Sequence, residues 1–202
     1  MVLAAHNPVA LLVLSGGRTR EDAGHWSEAQ TYYEIARKAM WWIPDEKRGL
    51  RDEIADRSTT EDYARDSFEN LLFGICRFQQ IAGDYPRTVT VVSWAFKQAR
   101  FELHRAAIRF PAIRFRFDGF NDPLDLATAW QGERKTLHSY IEYPYGTGGA
   151  LAEKRWKRNP YSEQHPYTIC PGLEAFFEFM ENKGNARSEY PGRLPWEDRT
   201  ER

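Results

Sequence analysis

An unbroken apolar run, Ala10-Leu11-Leu12-Val13-Leu14, leads directly into Ser15-Gly16-Gly17. A strand with one wet face alternates apolar and polar residues, whereas a strand buried on both faces of a parallel sheet does not. The run therefore reads as a parallel-sheet strand, with the glycines as its exit. After a polar loop from Arg18 to His25, Ser27 stands as an N-cap before Glu28 and a helical stretch to about Ala39.

The same alternation of periods continues. Glu53-Ile54-Ala55 is read as a short strand with Arg57-Ser58-Thr59 behind it, and Thr60-Glu61-Asp62 as the acidic first turn of a long helix. Ala64, Phe68, Leu71, Leu72 and Ile75 recur at helical spacing as its buried stripe. Asp62, Asp66 and Glu69 lie within an arc of about 60° and read as its solvated side. Gly83-Asp84-Tyr85-Pro86 ends that helix, and the β-branched run Thr88 to Ser93 is a strand. A helix from Lys97 to about Ile108 follows, then the alternating edge strand Ile113 to Phe117.

Strands alternating with helices predict an α/β fold, a Rossmann-like three-layer sandwich with a mostly parallel sheet. The expected organisation is an α/β core over 8–120 and a helical, loop-rich C-terminal extension over 121–182. A poorly ordered tail is expected over 183–202. Residues Met1 to His6 read as the tail of a helix.

Charge and cysteine usage bound the function. With 28 basic and 29 acidic side chains the formal charge is −1, which argues against nucleic acid as the default partner. Two cysteines, Cys76 and Cys170, make no framework and suit a reducing compartment, the cytoplasm. No apolar run is long enough for a membrane span. The five histidines lack zinc spacing, and neither GxSxG nor HExxH occurs.

Open parallel sheets bind ligands beyond the carboxyl ends of their strands. At the first such end, Ser15, Gly16, Gly17 and Arg18, with Ser27 at the helix start, could hold an anion through backbone N–H groups and charge. A tight turn with solvated arginines is the alternative. Ser93, Lys97 and Arg100 form the opposite wall, where basic residues in a first helical turn oppose the helix dipole. His104, two turns further on, is read as structural. Glu28 and Asp62 are the candidate general bases.

Leu14-Ser15-Gly16-Gly17, Ser27-Glu28-Ala29, Thr60-x-Asp62-x-Ala64 and Ser93-x-x-Phe96-x-x-x-Arg100 resemble, in order, the motifs of the DUF218 family. The run Thr60 to Phe73, the stretch Phe96 to Pro111, and Lys154-Arg155-x-x-Arg158-Asn159-Pro160 resemble its fungal branch. The resemblance covers about residues 8–180. It implies a Rossmann-like fold with a ligand site at these loops and no settled activity or cofactor. Tyr63 departs from the family's asparagine. A strand, loop and helix that precede the Ser-Gly-Gly strand in the family are not seen here, as expected of a shortened gene product. An oligomer is expected if another copy supplies that strand.

The functional expectation is an enzyme or binding domain for an anionic, nucleotide- or phosphate-like small molecule. The alternative is a non-catalytic interaction protein working through Trp130, Tyr140, Tyr143, Tyr145, Trp156 and Tyr161. A third, nucleic-acid binding through Lys154-Arg155-Trp156-Lys157-Arg158, rests on interleaved basic and aromatic residues.

Overall fold

The computed structural model describes Ala4 and residues 7–197. Most of the expected N-terminal helix tail lies outside the described residues, as does 198–202. The chain is an α/β protein with two short parallel sheets. Strand β1 (Leu12–Ser15) pairs in parallel with β2 (Ser58–Glu61), and β3 (Val89–Trp94) with β4 (Phe115–Phe120). Among the described residues neither β1 nor β3 has a second strand neighbour, so the two ladders remain separate.

Helix α1 (Glu28–Lys38) and α2 (Gly49–Asp56) lie between β1 and β2 in the chain. Ser27 caps α1: its Oγ accepts from Gln30 N, and the Gln30 side chain returns a bond to Ser27 N. This capping box satisfies two of the donors that a helix start leaves open. The segment read as the strand Glu53-Ile54-Ala55 is instead the end of α2, and Ile54 is fully buried beside Ala36 and Trp41. The strand is the β-branched stretch that follows it, Ser58-Thr59-Thr60-Glu61.

Helix α3 consequently begins later than its acidic run implies. It spans Ser67–Ala82, with Asp66 in extended conformation as N-cap, accepting from Glu69 N at 2.9 Å. It ends at Gly83, whose φ of 75° lies in the left-handed region that a helix terminus commonly uses. Phe68, Leu71, Leu72, Phe73, Ile75 and Cys76 are all buried, a burden too large for one stripe. Two layers account for it. The strands β1 and β2 pack on one side of α3, and residues from the C-terminal half pack on the other.

That second layer contains α4 (Gln98–Ala107), α5 (Leu126–Glu142), α6 (Gly149–Lys157) and α7 (Glu174–Glu181). Tyr145, Tyr167, Leu173, Phe176 and Phe177 join the α3 core, so the C-terminal half is part of the same apolar interior. Residues 183–197, expected as a loose tail, correct that expectation. Leu194 and Trp196 are buried, Trp196 Nε1 donates to Ile108 O at 2.7 Å, and Arg109 pairs with Glu197. The polar composition of the segment masks two large anchors with well-defined seats.

No described helix is long and apolar enough to cross a membrane. Cys76 and Cys170 are free and buried.

Candidate functional site

The Ser15-Gly16-Gly17 turn leaves β1 at its carboxyl end, as the sequence indicates, but its donors are already engaged. Gly16 N donates to Glu61 O at 2.9 Å and Gly17 N to Ala64 O at 2.7 Å. At the start of α1, Glu28 N donates to Gly17 O, Ala29 N to Gly16 O, and Gln30 N to the Ser27 hydroxyl. The turn and the helix start therefore satisfy each other. Gly17 is required by proximity, since a Cβ there would stand 2.7 Å from Ala64 O.

The side chains of this wall are similarly occupied. Ser15 Oγ donates to Glu61 Oε2 at 2.6 Å and lies 3.0 Å from Asn70 Oδ1. Ser27 Oγ donates to Asp62, which also accepts from Thr60 Oγ1 at 2.9 Å. Arg18 donates through Nε to His25 O and pairs with Glu163 at 3.1 Å. Of the residues expected on this side, Glu28 is the one left exposed, its Oε1 accepting from Tyr32.

Glu61 is the residue that the sequence did not single out, because it reads as part of a helix start. It is the last residue of β2 and fully buried. Besides Ser15, its carboxylate accepts from Tyr63 N at 2.8 Å and Tyr167 OH at 3.2 Å. Burial pushes its carboxyl up to about 7, and those hydrogen bonds offset only part of the rise. Placing Thr60 and Glu61 in the β-branched run would have revealed its position.

The opposite wall is built on the exit from β3. Ser93 is partly buried in register with Gly119. Lys97 caps α4 and is partly buried. Burial holds its ammonium below the usual lysine range, and the adjacent Arg100 adds to that shift. Lys154 of α6 is solvent-exposed, and its ammonium is held below the usual lysine range by partial desolvation, then by Arg158 and Arg100. Neither lysine has an ion-pair partner among the described residues. Lys97 also senses the charges of Glu133, Glu28 and Lys154.

Arg100, expected as a free cation, is bound on both sides of its fork to Glu133 of α5, with Nε at 2.9 Å from Oε1. His104 is buried, its Nε2 2.8 Å from Ser67 Oγ, and burial lowers its pKa to about 3. It is a neutral, structural histidine.

Asp66 and Glu69, expected on a wet face, are buried and joined to Arg155, whose Nε lies 2.6 Å from Asp66 and 3.4 Å from Glu69. Burial raises the Asp66 carboxyl, but Arg155 more than offsets it and holds the group below its ordinary range. This pairing removes Arg155 from the basic run proposed for nucleic acid. Tyr140 and Tyr145 are also buried, which leaves Trp130 and Trp156 as the exposed tryptophans of the supposed interaction surface. No group of three or more His, Cys, Asp or Glu that could hold a metal occurs among the described residues.

A hollow lies elsewhere. It measures about 590 Å³ and opens between the Arg18–Trp26 loop, α1 and the outer edge of β2. Its volume suits a small molecule. However, it is a wide depression lined by Ser58, Thr59 and Thr60, and it contains no unpaired lysine.

The fold is that of an α/β protein with two short parallel sheets, in which Lys97 beyond β3 and Lys154 of α6 form no ion pair among the described residues. No family model and no solved structure matches the chain. It is 26% identical to the uncharacterized protein YOR238W of Saccharomyces cerevisiae, over 93% of this chain and 76% of the relative.

Proposed function

We propose that the chain is a DUF218-like, Rossmann-type protein that binds an anionic, phosphate- or nucleotide-like small molecule at the mouth formed by Lys97 and Lys154. One observation carries this reading. Lys97, partly buried at the start of α4, and Lys154, exposed on α6, form no ion pair among the described residues. Each is held below the usual lysine range by desolvation and by neighbouring arginines, against a smaller pull from Glu133. A bound anion would relieve both, as an opposite charge within a few ångströms favours the charged form. Arg158 adds to the field while it donates to Arg65 O.

Support for the family reading is positional. Its Ser-Gly-Gly, Thr60-to-Ala64 and Ser93-to-Arg100 motifs all fall at carboxyl ends of parallel strands. The buried free thiols are consistent with a reducing cytoplasm. In this reading the glycine turn holds the two walls in place and the lysines contact the ligand. Glu28 is the exposed carboxylate positioned to accept a proton from a ligand, whereas Asp62 is committed to Ser27.

Calorimetric titration with inorganic tripolyphosphate at low salt tests the reading. Lys97→Ala and Lys154→Ala should each weaken binding about tenfold, the loss of one charge-assisted contact. Equal affinity in both variants, or no binding by the unaltered chain, removes it.

A second reading is association with another copy. It is favoured by the single-sided pairing of β1 and β3, each of which has one edge with no strand neighbour among the described residues. A strand supplied in trans would cover such an edge. Sedimentation showing only monomer across the concentration range would exclude it.

A further inference from the structure

We infer that the anion held at Lys97 and Lys154 is the phosphate end of a nucleotide, whose base stacks on the aromatic row at the end of β3. The inference rests on the anion-binding reading above and adds to it the ligand's second half.

Three rings form the row. Trp94 is the last residue of β3, Phe96 follows in the turn, and Trp130 arrives from α5. The ring centroids of Trp94 and Phe96 are 6.5 Å apart, and those of Phe96 and Trp130 are also 6.5 Å apart. Trp94 and Trp130 are 44% and 41% exposed, so each offers ring surface while its backbone is fixed in an element. Alternation along β3 accounts for the position of Trp94. Val89, Val91 and Ser93 are partly buried, whereas Thr90, Val92 and Trp94 are exposed.

The row meets Lys97 directly. Lys97 Nζ lies 5.9 Å from the centre of the Phe96 ring, and Lys97 in turn senses Lys154. A ligand reaching from these lysines across Phe96 to Trp94 or Trp130 needs an anionic end and a flat π-system. Bare phosphate or a carboxylic acid has no use for exposed tryptophans. An acidic peptide would lack a flat surface matched to separate rings. A nucleotide has both parts, and stacking tolerates any base because every base has a π-face. The location also agrees, since parallel sheets take such ligands beyond their carboxyl ends.

The test compares ATP with inorganic tripolyphosphate by calorimetry, using the full chain, Trp94→Ala, Trp130→Ala, Trp94→Phe and Lys97→Ala. Tripolyphosphate carries the anion without the base. The expectation is that ATP binds at least about fivefold tighter than tripolyphosphate. At least one Trp→Ala variant should lose that advantage while binding tripolyphosphate unchanged. Trp94→Phe, which preserves a ring and guards against misfolding, should retain most of it. Lys97→Ala should weaken both ligands alike. Equal affinities for ATP and tripolyphosphate, or ATP binding unaltered in both Trp→Ala variants, overturn the stacking inference and leave the anion site standing. Failure of both ligands to bind the unaltered chain overturns the two together.

Discussion

The two walls of the ligand edge occupy equivalent places, each beyond the carboxyl end of a parallel pair, yet they use their polar groups in opposite ways. Beyond β1 and β2, each glycine N–H, the Ser15 and Ser27 hydroxyls and the Glu61 and Asp62 carboxylates have partners within the chain. Beyond β3, neither Lys97 nor Lys154 of α6 has an ion-pair partner among the described residues. Matched groups make a rigid support, and in the proposed reading the unmatched ones supply the binding energy. A strand end of the right kind is therefore not by itself a site; what remains unsatisfied there decides.

This contrast predicts that the first side governs stability and the second governs binding. The largest effect should come from Asp66→Ala, which removes the α3 cap and leaves Arg155 buried against Glu69 alone. A loss of about 3–5 kcal/mol is expected in urea unfolding. A loss below 1 kcal/mol would show that the buried cluster is not part of the support.

Glu61 sharpens the comparison through pH. Its carboxyl is raised from 4.5 to about 7, so the folded state binds more protons in that window and stability falls as pH rises through it. His104 and His165, lowered to about 3 and 4, act in the opposite sense below 6.5. The wild-type curve alone is thus ambiguous. The difference between Glu61→Gln and wild type isolates the glutamate. It should move in favour of the variant by on the order of 3 kcal/mol between pH 4.5 and 7. A flat difference curve would mean that Glu61 is solvated.

Gly17→Ala should cost about 1–3 kcal/mol, because the Cβ meets a backbone oxygen that cannot rotate away. Lys97→Ala and Lys154→Ala should have the smallest effect on unfolding, within about 0.5 kcal/mol, despite their effect on anion affinity. If instead either lysine proved important for stability, the distinction between the walls would fail.

Local signals in the sequence located β1, the Ser27 cap, β3 and the C-terminal helices, because each follows from residues within a few positions. What escaped depends on distant partners. Asp66 and Glu69 have the spacing of a solvated face, and their true partner Arg155 lies 89 residues beyond Asp66. The breadth of the apolar set Phe68, Leu71, Leu72, Phe73, Ile75 and Cys76, wider than one helix face, was the available warning. Arg100 was legible as a cation at the ligand edge, but its neutralisation by Glu133 was not, since that requires α5 to dock. The helix start read at Thr60-Glu61-Asp62 fails because the parallel pairing with β1 takes Ser58 to Glu61 into a strand, which a local signal does not reveal. Glu61 became a buried carboxylate through that pairing.

The separate ladders also bear on how the molecule fluctuates. In each of β1 and β3, alternate amides point away from the single partner strand, with no backbone acceptor from another strand. Those amides should exchange with solvent deuterium faster than their neighbours, even where the flanking side chains are buried. The two pairs need not open together, because no ladder couples them; α3, which touches both β1 and α4, is the mechanical link. Any molecule that bridges the two strand ends would therefore slow exchange in both pairs at once.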